Sequence, residues 1–311
     1  MIVDSHAHLV PPDLLDAIRR DRARFPSLRL IEPVSKPLSD IPGRLAWMRQ
    51  QGIDRQVSGG WVDMFGYELP AAEGEAWSRL INEAMLAAGK SEPAFVPLAT
   101  VPMQDGARAA AVLKSAIAAG FPGGMIGTLP RGIGSVLDAA DLDAFWAAAD
   151  ELRAAVHIHP SFDAGDIRTY DFGLQNGVGR ITDAMVAVAR LICSGHIARY
   201  ANVKFIAPMG SVGLPFLIGR LRRNFEVTPG IGDPIDALAR IYADTVLHDP
   251  RVLRFVTEIV GADRIMMGSD SPFPIGDLAP TKIVAASGLD AAADARINGG
   301  LAAALFRLGT P

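Results

Sequence analysis

Residues 1–10 read MIVDSHAHLV, and residues 154–160 read AAVHIHP. Each stretch places two histidines one residue apart in an otherwise apolar run. Side chains two apart on a β-strand face the same way. His6 and His8 therefore point together, and so do His157 and His159. Working outward, strand-like runs recur at 2–8, 53–60, 94–102, 123–128, 154–160, 203–208, 240–247 and 263–270. Helical patterns separate most of them, at 41–52, 77–89, 107–120, 142–153, 181–200, 215–225 and 251–261, with two more after 270. The stretch between the first strand and Asp40 reads as long and irregular, rich in proline and arginine. Eight strands alternating with helices predict an α/β protein, a (β/α)₈ barrel forming one domain over residues 1–311. The competing architecture is an open doubly wound sheet, but no GxGxxG follows the first strand.

Composition narrows the function. The chain has 311 residues, of which 50 % are hydrophobic and 21 % charged, enough for a full-sized core. The net charge of −4, from 34 acids against 30 bases, and the lack of a long basic run argue against nucleic acid as a partner. No apolar run reaches the length of a membrane helix. The first residues show no export signal, and Cys193 is the single cysteine. A cytoplasmic protein without a disulfide framework is expected.

In a closed barrel one face of each strand looks into the lumen, which is usually filled by Val, Ile and Leu. Imidazoles there leave buried nitrogens that need partners. One lone histidine would find a backbone carbonyl. Two same-face pairs near strand ends point instead to a metal ion, which satisfies several rings at once. Asp270, closing the eighth strand in MMGSDSPFP, offers an oxygen ligand or a base. A turn or helix-capping role is the other reading of Asp270.

HAH on the first strand, HP after the fifth and GSDSPFP after the eighth resemble the amidohydrolase superfamily. The nearest branch is the amidohydrolase-2 group of 2-amino-3-carboxymuconate-6-semialdehyde decarboxylase and related metal-dependent decarboxylases. GFPGGMIGT, VKFIAP with GLPFLIGRL, and YADTVLHDP extend the resemblance over nearly the whole chain. The resemblance implies His6, His8, His159 and Asp270 as ligands of one divalent ion, usually zinc. The donor set of nitrogens and a carboxylate agrees with zinc, with manganese or iron as alternatives. The branch usually carries a histidine after the sixth strand, in a run like H-G-G-G-x-x-P. Here Met209 stands in that place, and a thioether cannot carry a proton.

His157 is the candidate substitute for that histidine, with a supporting core role as its other reading. Asp4, on the same strand face as His6, is expected to be a buried partner of polar groups. His196 is expected at an exposed helix end. Trp61 and Phe273 are candidate pocket walls. Arg131 and Arg168 are candidate clamps for a substrate carboxylate, and His248 lies in the loop after the seventh strand. The expected activity is non-oxidative decarboxylation of a small cyclic or unsaturated carboxylic acid, with Asp270 managing the proton. The alternatives are a hydrolase of an amide, lactone or ring bond, a hydratase, or a silent binding protein that kept the pocket. The resemblance also implies a homodimer, in which the stretch from Arg24 to Asp40 could take part.

Overall fold

A computed structural model describes residues 1–20, 35–161 and 164–309. The strands are β1 (Val3–His8), β2 (Arg55–Gly59), β3 (Phe95–Pro97), β4 (Ala99–Thr100), β5 (Gly123–Gly127), β6 (Ala155–His159), β7 (Lys204–Ile206), β8 (Ala243–Asp244) and β9 (Ile265–Met266). Every pairing among them is parallel: β1–β2–β3, β4–β5–β6–β7 and β8–β9. Between β3 and β4 only Leu98 intervenes, and its N–H donates to the Ser58 carbonyl at 2.9 Å, so the two form one position of the wall. An Ile206–Tyr242 bridge joins β7 to the chain entering β8. An Ala7–Ser271 bridge and the Ser5 N–H to Met267 carbonyl bond (2.8 Å) return the wall to β1. The nine strands among the described residues, with β3 and β4 merged, make eight positions, the predicted (β/α)₈ barrel.

Helix boundaries follow local chemistry. Asp40 caps helix Ile41–Gln51 by accepting from Gly43 N–H, and Gly52 ends it at φ 69°. Asp105 caps helix Gly106–Ala119 in the same way. Three expectations change. The irregular stretch after β1 contains helices Pro12–Arg20 and Ser35–Ser39. The single helix expected from residue 181 to 200 breaks into Arg180–Cys193 and His196–Arg199, because Gly195 turns at φ 78°. Residues 21–34, most of the stretch expected to help form a dimer, lie outside the described residues.

The third change is in β1. Asp4 pairs with Gln56 and Ala7 with Ser58, so three steps along β1 oppose two along β2. Such a bulge reverses the alternation of faces. Val3 packs with Val57, Met125, Ala155, Ile206 and Met266 in an apolar cluster. Asp4 turns instead toward Gln56, whose Oε1 accepts from Arg44 Nη1 at 2.8 Å on the neighbouring helix. Asp4 therefore does not share the face of His6, though it is buried and bonded as expected. The larger apolar layer lies around Phe145, Trp146 and Phe205, and Trp146 Nε1 donates to the Leu137 carbonyl at 2.8 Å.

Candidate metal centre

The bulge brings His6 and His8 to the side where β6 presents His157 and His159. Ring centroids of His6 and His8 lie 5.5 Å apart, those of His8 and His159 4.8 Å, and those of His6 and His159 5.4 Å. Asp270 enters from the segment after β9, with its own backbone at φ 56°. Its Oδ1 lies 3.2 Å from His8 Nε2 and 3.6 Å from His6 Nε2. One donor atom from each of His6, His8, His159 and Asp270 falls within 4.8 Å of all the others.

The outer nitrogens explain this convergence. His8 Nδ1 bonds the Gly60 carbonyl at 3.1 Å, and His159 Nδ1 bonds the Pro160 carbonyl at 2.8 Å. His6 Nδ1 bonds Asp244 Oδ2 at 2.6 Å. Each of these oxygens accepts, so in the neutral rings each Nδ1 carries the proton and each Nε2 keeps a lone pair. His6 Nε2, His8 Nε2 and Asp270 Oδ1 are buried without a hydrogen-bond partner among the described residues. Leaving such groups unpaired costs roughly 1–3 kcal/mol each. Three neutral nitrogens and a carboxylate fit a divalent cation, and a cation would satisfy all of these atoms together.

The electrostatics are polarised across the cluster. Burial opposes charge on His6, yet with no cation bound the carboxylates of Asp244, Asp270 and Asp4 lift its pKa to about 9, so a cation binding at Nε2 would displace a proton from it. Burial and the neighbouring rings hold His157 and His159 well below the usual histidine range. His157 lies 4.5 Å from the His6 ring and 6.2 Å from that of His159, and both its nitrogens are buried without a hydrogen-bond partner. It groups with His6 and Asp244, behind the four-atom set that includes Asp270.

The remaining candidates divide. Phe273 meets the cluster, its ring centroid 5.2 Å from that of His8. Trp61 is buried beside Gly60 in the apolar cluster that includes Leu9, Val10 and Met64. Arg131 is paired with Asp141, and Arg168 is 85 % exposed with Nε 2.8 Å from Asp166 Oδ1. Among the described residues no hydrogen bond joins either arginine to the histidines. His248 is exposed in the turn after β8, at φ 59°. His196, expected to be exposed, is buried: its Nδ1 lies 2.8 Å from Ser194 Oγ and its Nε2 3.3 Å from Asp143. The break at Gly195 turns it inward.

Met209 begins a run of left-handed residues, with φ 51°, 63°, 59° and 50° at Met209, Gly210, Ser211 and Val212. Its side chain packs against the apolar cluster that holds Trp146 and Phe205. Its backbone, rather than its side chain, meets the site: Met209 N–H donates to Asp244 Oδ1 at 2.6 Å. Sequence reasoning missed Asp244 as a site residue. The available signal was an acid inside the otherwise largely apolar strand-like run 240–247.

The chain is similar to 2-amino-3-carboxymuconate-6-semialdehyde decarboxylase of Dictyostelium discoideum, 27 % identical over 249 residues, covering 78 % of this chain and 69 % of that one. Its fold is similar to 5-carboxyvanillate decarboxylase from Sphingomonas paucimobilis, with TM-score 0.85, 20 % identity and 99 % of each chain covered. It is also similar to 5-carboxyvanillate decarboxylase of Novosphingobium aromaticivorans in complex with manganese and a nitrobenzoic acid, with TM-score 0.83, 18 % identity, and 99 % and 96 % of the chains covered. The amidohydrolase family model Amidohydro_2 matches residues 3–308, and the chain belongs to that family.

Proposed function

We propose that the protein is a metal-dependent, non-oxidative decarboxylase of a small cyclic or unsaturated carboxylic acid. His6, His8, His159 and Asp270 are its metal ligands. The observation that carries this reading is the convergence of their donor atoms within 4.8 Å, with three of those atoms buried and unpaired. The decarboxylases to which the chain is similar support the choice of reaction class. A divalent cation held there, zinc by its donor chemistry or manganese or iron in its place, supplies Lewis acidity toward substrate oxygens.

The chain's own residues do the rest. Asp270 is 17 % exposed and His159 is half-buried beside it, whereas His6, His8 and His157 are sealed, so Asp270 is the carboxyl group of the cluster that a substrate reaches. Asp270 first takes a proton from the substrate's acidic group or from water; as the carbon–carboxylate bond then breaks and CO₂ leaves, the electron pair stays on carbon and takes that proton from Asp270. Phe273 against His8 forms an apolar wall for a flat ring. Trp61 supports that wall from the buried side. His157 lies on the Asp244 side of His6 and has no path to substrate, so it acts by packing His6 rather than by carrying a proton. Arg131 and Arg168 already hold aspartates, and a carboxylate clamp is not assigned to them. His248 stays free at the surface.

Metal analysis of the purified protein tests the reading together with CO₂ release. About one divalent ion per chain is expected, with CO₂ evolved from 5-carboxyvanillate or 2-amino-3-carboxymuconate-6-semialdehyde. Hydrolysis of an amide or lactone without CO₂ release would overturn it. We further propose a homodimer acting in the cytoplasm, which light scattering and fractionation would check. Among the described residues no helix is long and apolar enough to cross a membrane.

A further inference from the structure

Of the three histidines that converge with Asp270, two direct Nδ1 to backbone carbonyls, whereas His6 directs it to a side chain. That side chain, Asp244, is fully buried at the end of β8. Its Oδ1 accepts from Met209 N–H at 2.6 Å and from Val246 N–H at 3.1 Å. Its Oδ2 faces His6 Nδ1 at 2.6 Å. Both oxygens are thus used as acceptors, and the carboxylate cannot swing away without leaving one of these N–H groups unpaired.

Two further features hold this arrangement. A Cβ on Gly268 would lie 2.9 Å from Asp244 Cβ and 3.0 Å from His6 Cβ, so the absence of a side chain at 268 lets the two approach. The Met209 N–H reaches Asp244 only because the chain takes a left-handed turn there. A non-glycine residue pays roughly 1–2 kcal/mol for that conformation, and Met209, Ser211 and Val212 all adopt it.

We infer that Asp244 is the positioning residue that sets the tautomer of His6, keeping its proton on Nδ1 and its Nε2 free for the cation. The inference rests on the metal-centre reading above. It gives the strained turn after β7 a role: its amide fixes the carboxylate that fixes the ligand. It also makes an isosteric change more harmful than a truncation. In Asp244→Asn the single remaining oxygen is claimed by the N–H groups of Met209 and Val246, which turns the amide NH₂ toward His6 Nδ1. The ring must then accept at Nδ1 and carry its proton on Nε2, where the cation would bind. In Asp244→Ala the ring keeps a free choice, and a water can occupy the vacated space.

Zinc affinity of the full chain, measured by competition with a chelator, tests this alongside thermal melting of the metal-free proteins. Asp244→Asn is expected to weaken zinc binding by about 10–100-fold. Asp244→Ala is expected to lose less affinity and more melting temperature than Asp244→Asn. A merely structural role predicts that asparagine is milder in both measurements. Zinc affinity of Asp244→Asn within about threefold of wild type, or weaker binding by Asp244→Ala, overturns the assignment. If Asp244→Asn does not fold, ¹⁵N NMR of the zinc-loaded wild type decides. His6 should show a protonated Nδ1 and a metal-bound Nε2, and the reverse pattern overturns the assignment. Wild-type protein that takes up no zinc, manganese or iron would overturn the metal-centre reading itself and this inference with it.

Discussion

The two ends of the barrel's interior are built on the same strands and behave oppositely. On β6, Ala155 packs with Val57, Met125 and Ile206, while His157 and His159, two and four residues further, join the polar cluster. On β1, Val3 belongs to the apolar layer, and beyond the bulge His6 and His8 belong to the polar one. The apolar layer gains stability from burial of hydrocarbon. The polar layer holds unpaired donor atoms that oppose folding until something binds them. One set of strands therefore separates stability from chemistry along its length, which lets the site carry strain and unmet polar atoms without unfolding the wall.

The contrast can be broken from either side. Asp270→Asn should lower decarboxylation by about 10²–10⁴-fold, the usual scale for a lost acid–base group. Its melting curve should stay close to wild type, because the residue lies at the open side of the cluster. Steady-state rates and circular dichroism on one preparation check both halves. Ile206→Ala should do the reverse: a loss of about 2–5 kcal/mol in denaturant unfolding, with activity per folded molecule retained. Gly268→Ala strikes the junction. Its Cβ would crowd His6 and Asp244, so a loss of about 1–3 kcal/mol is expected, together with weaker metal uptake. Unchanged metal affinity in that variant would show that the approach of His6 to Asp244 is not critical.

The smallest effect concerns His196, which burial holds below the usual histidine range despite the nearby Asp143 carboxylate. A depressed folded-state pKa favours the folded form while the ring is neutral. That contribution is complete above the unfolded value of 6.5 and is lost as pH falls below it. His196→Gln should therefore flatten part of the acid-side fall in melting temperature between about pH 6.5 and pH 5. A parallel fall in both proteins would remove His196 from the account.

The paired histidines were legible because strand alternation is local: residues two apart share a face whatever the rest of the chain does. The barrel was legible for a similar reason, since strand and helix periods recur along the chain. Asp4 shows where this fails. Its spacing from His6 places both on one face, and a single extra residue in β1 moved it to the other, something only the pairing with β2 could decide. The burial of His196 depended on a turn at Gly195 inside what reads as one continuous helix.

Sequence alone determined the strand and helix order, the two histidine pairs and the carboxylate at residue 270, because each is a property of neighbouring residues. Tertiary structure decided which of the paired rings meet Asp270, that Asp244 faces His6 across 238 positions of chain, and that the backbone rather than the side chain of Met209 serves the site. Those are contacts between distant segments. Their existence depends on barrel closure and register, which no local pattern of residues encodes.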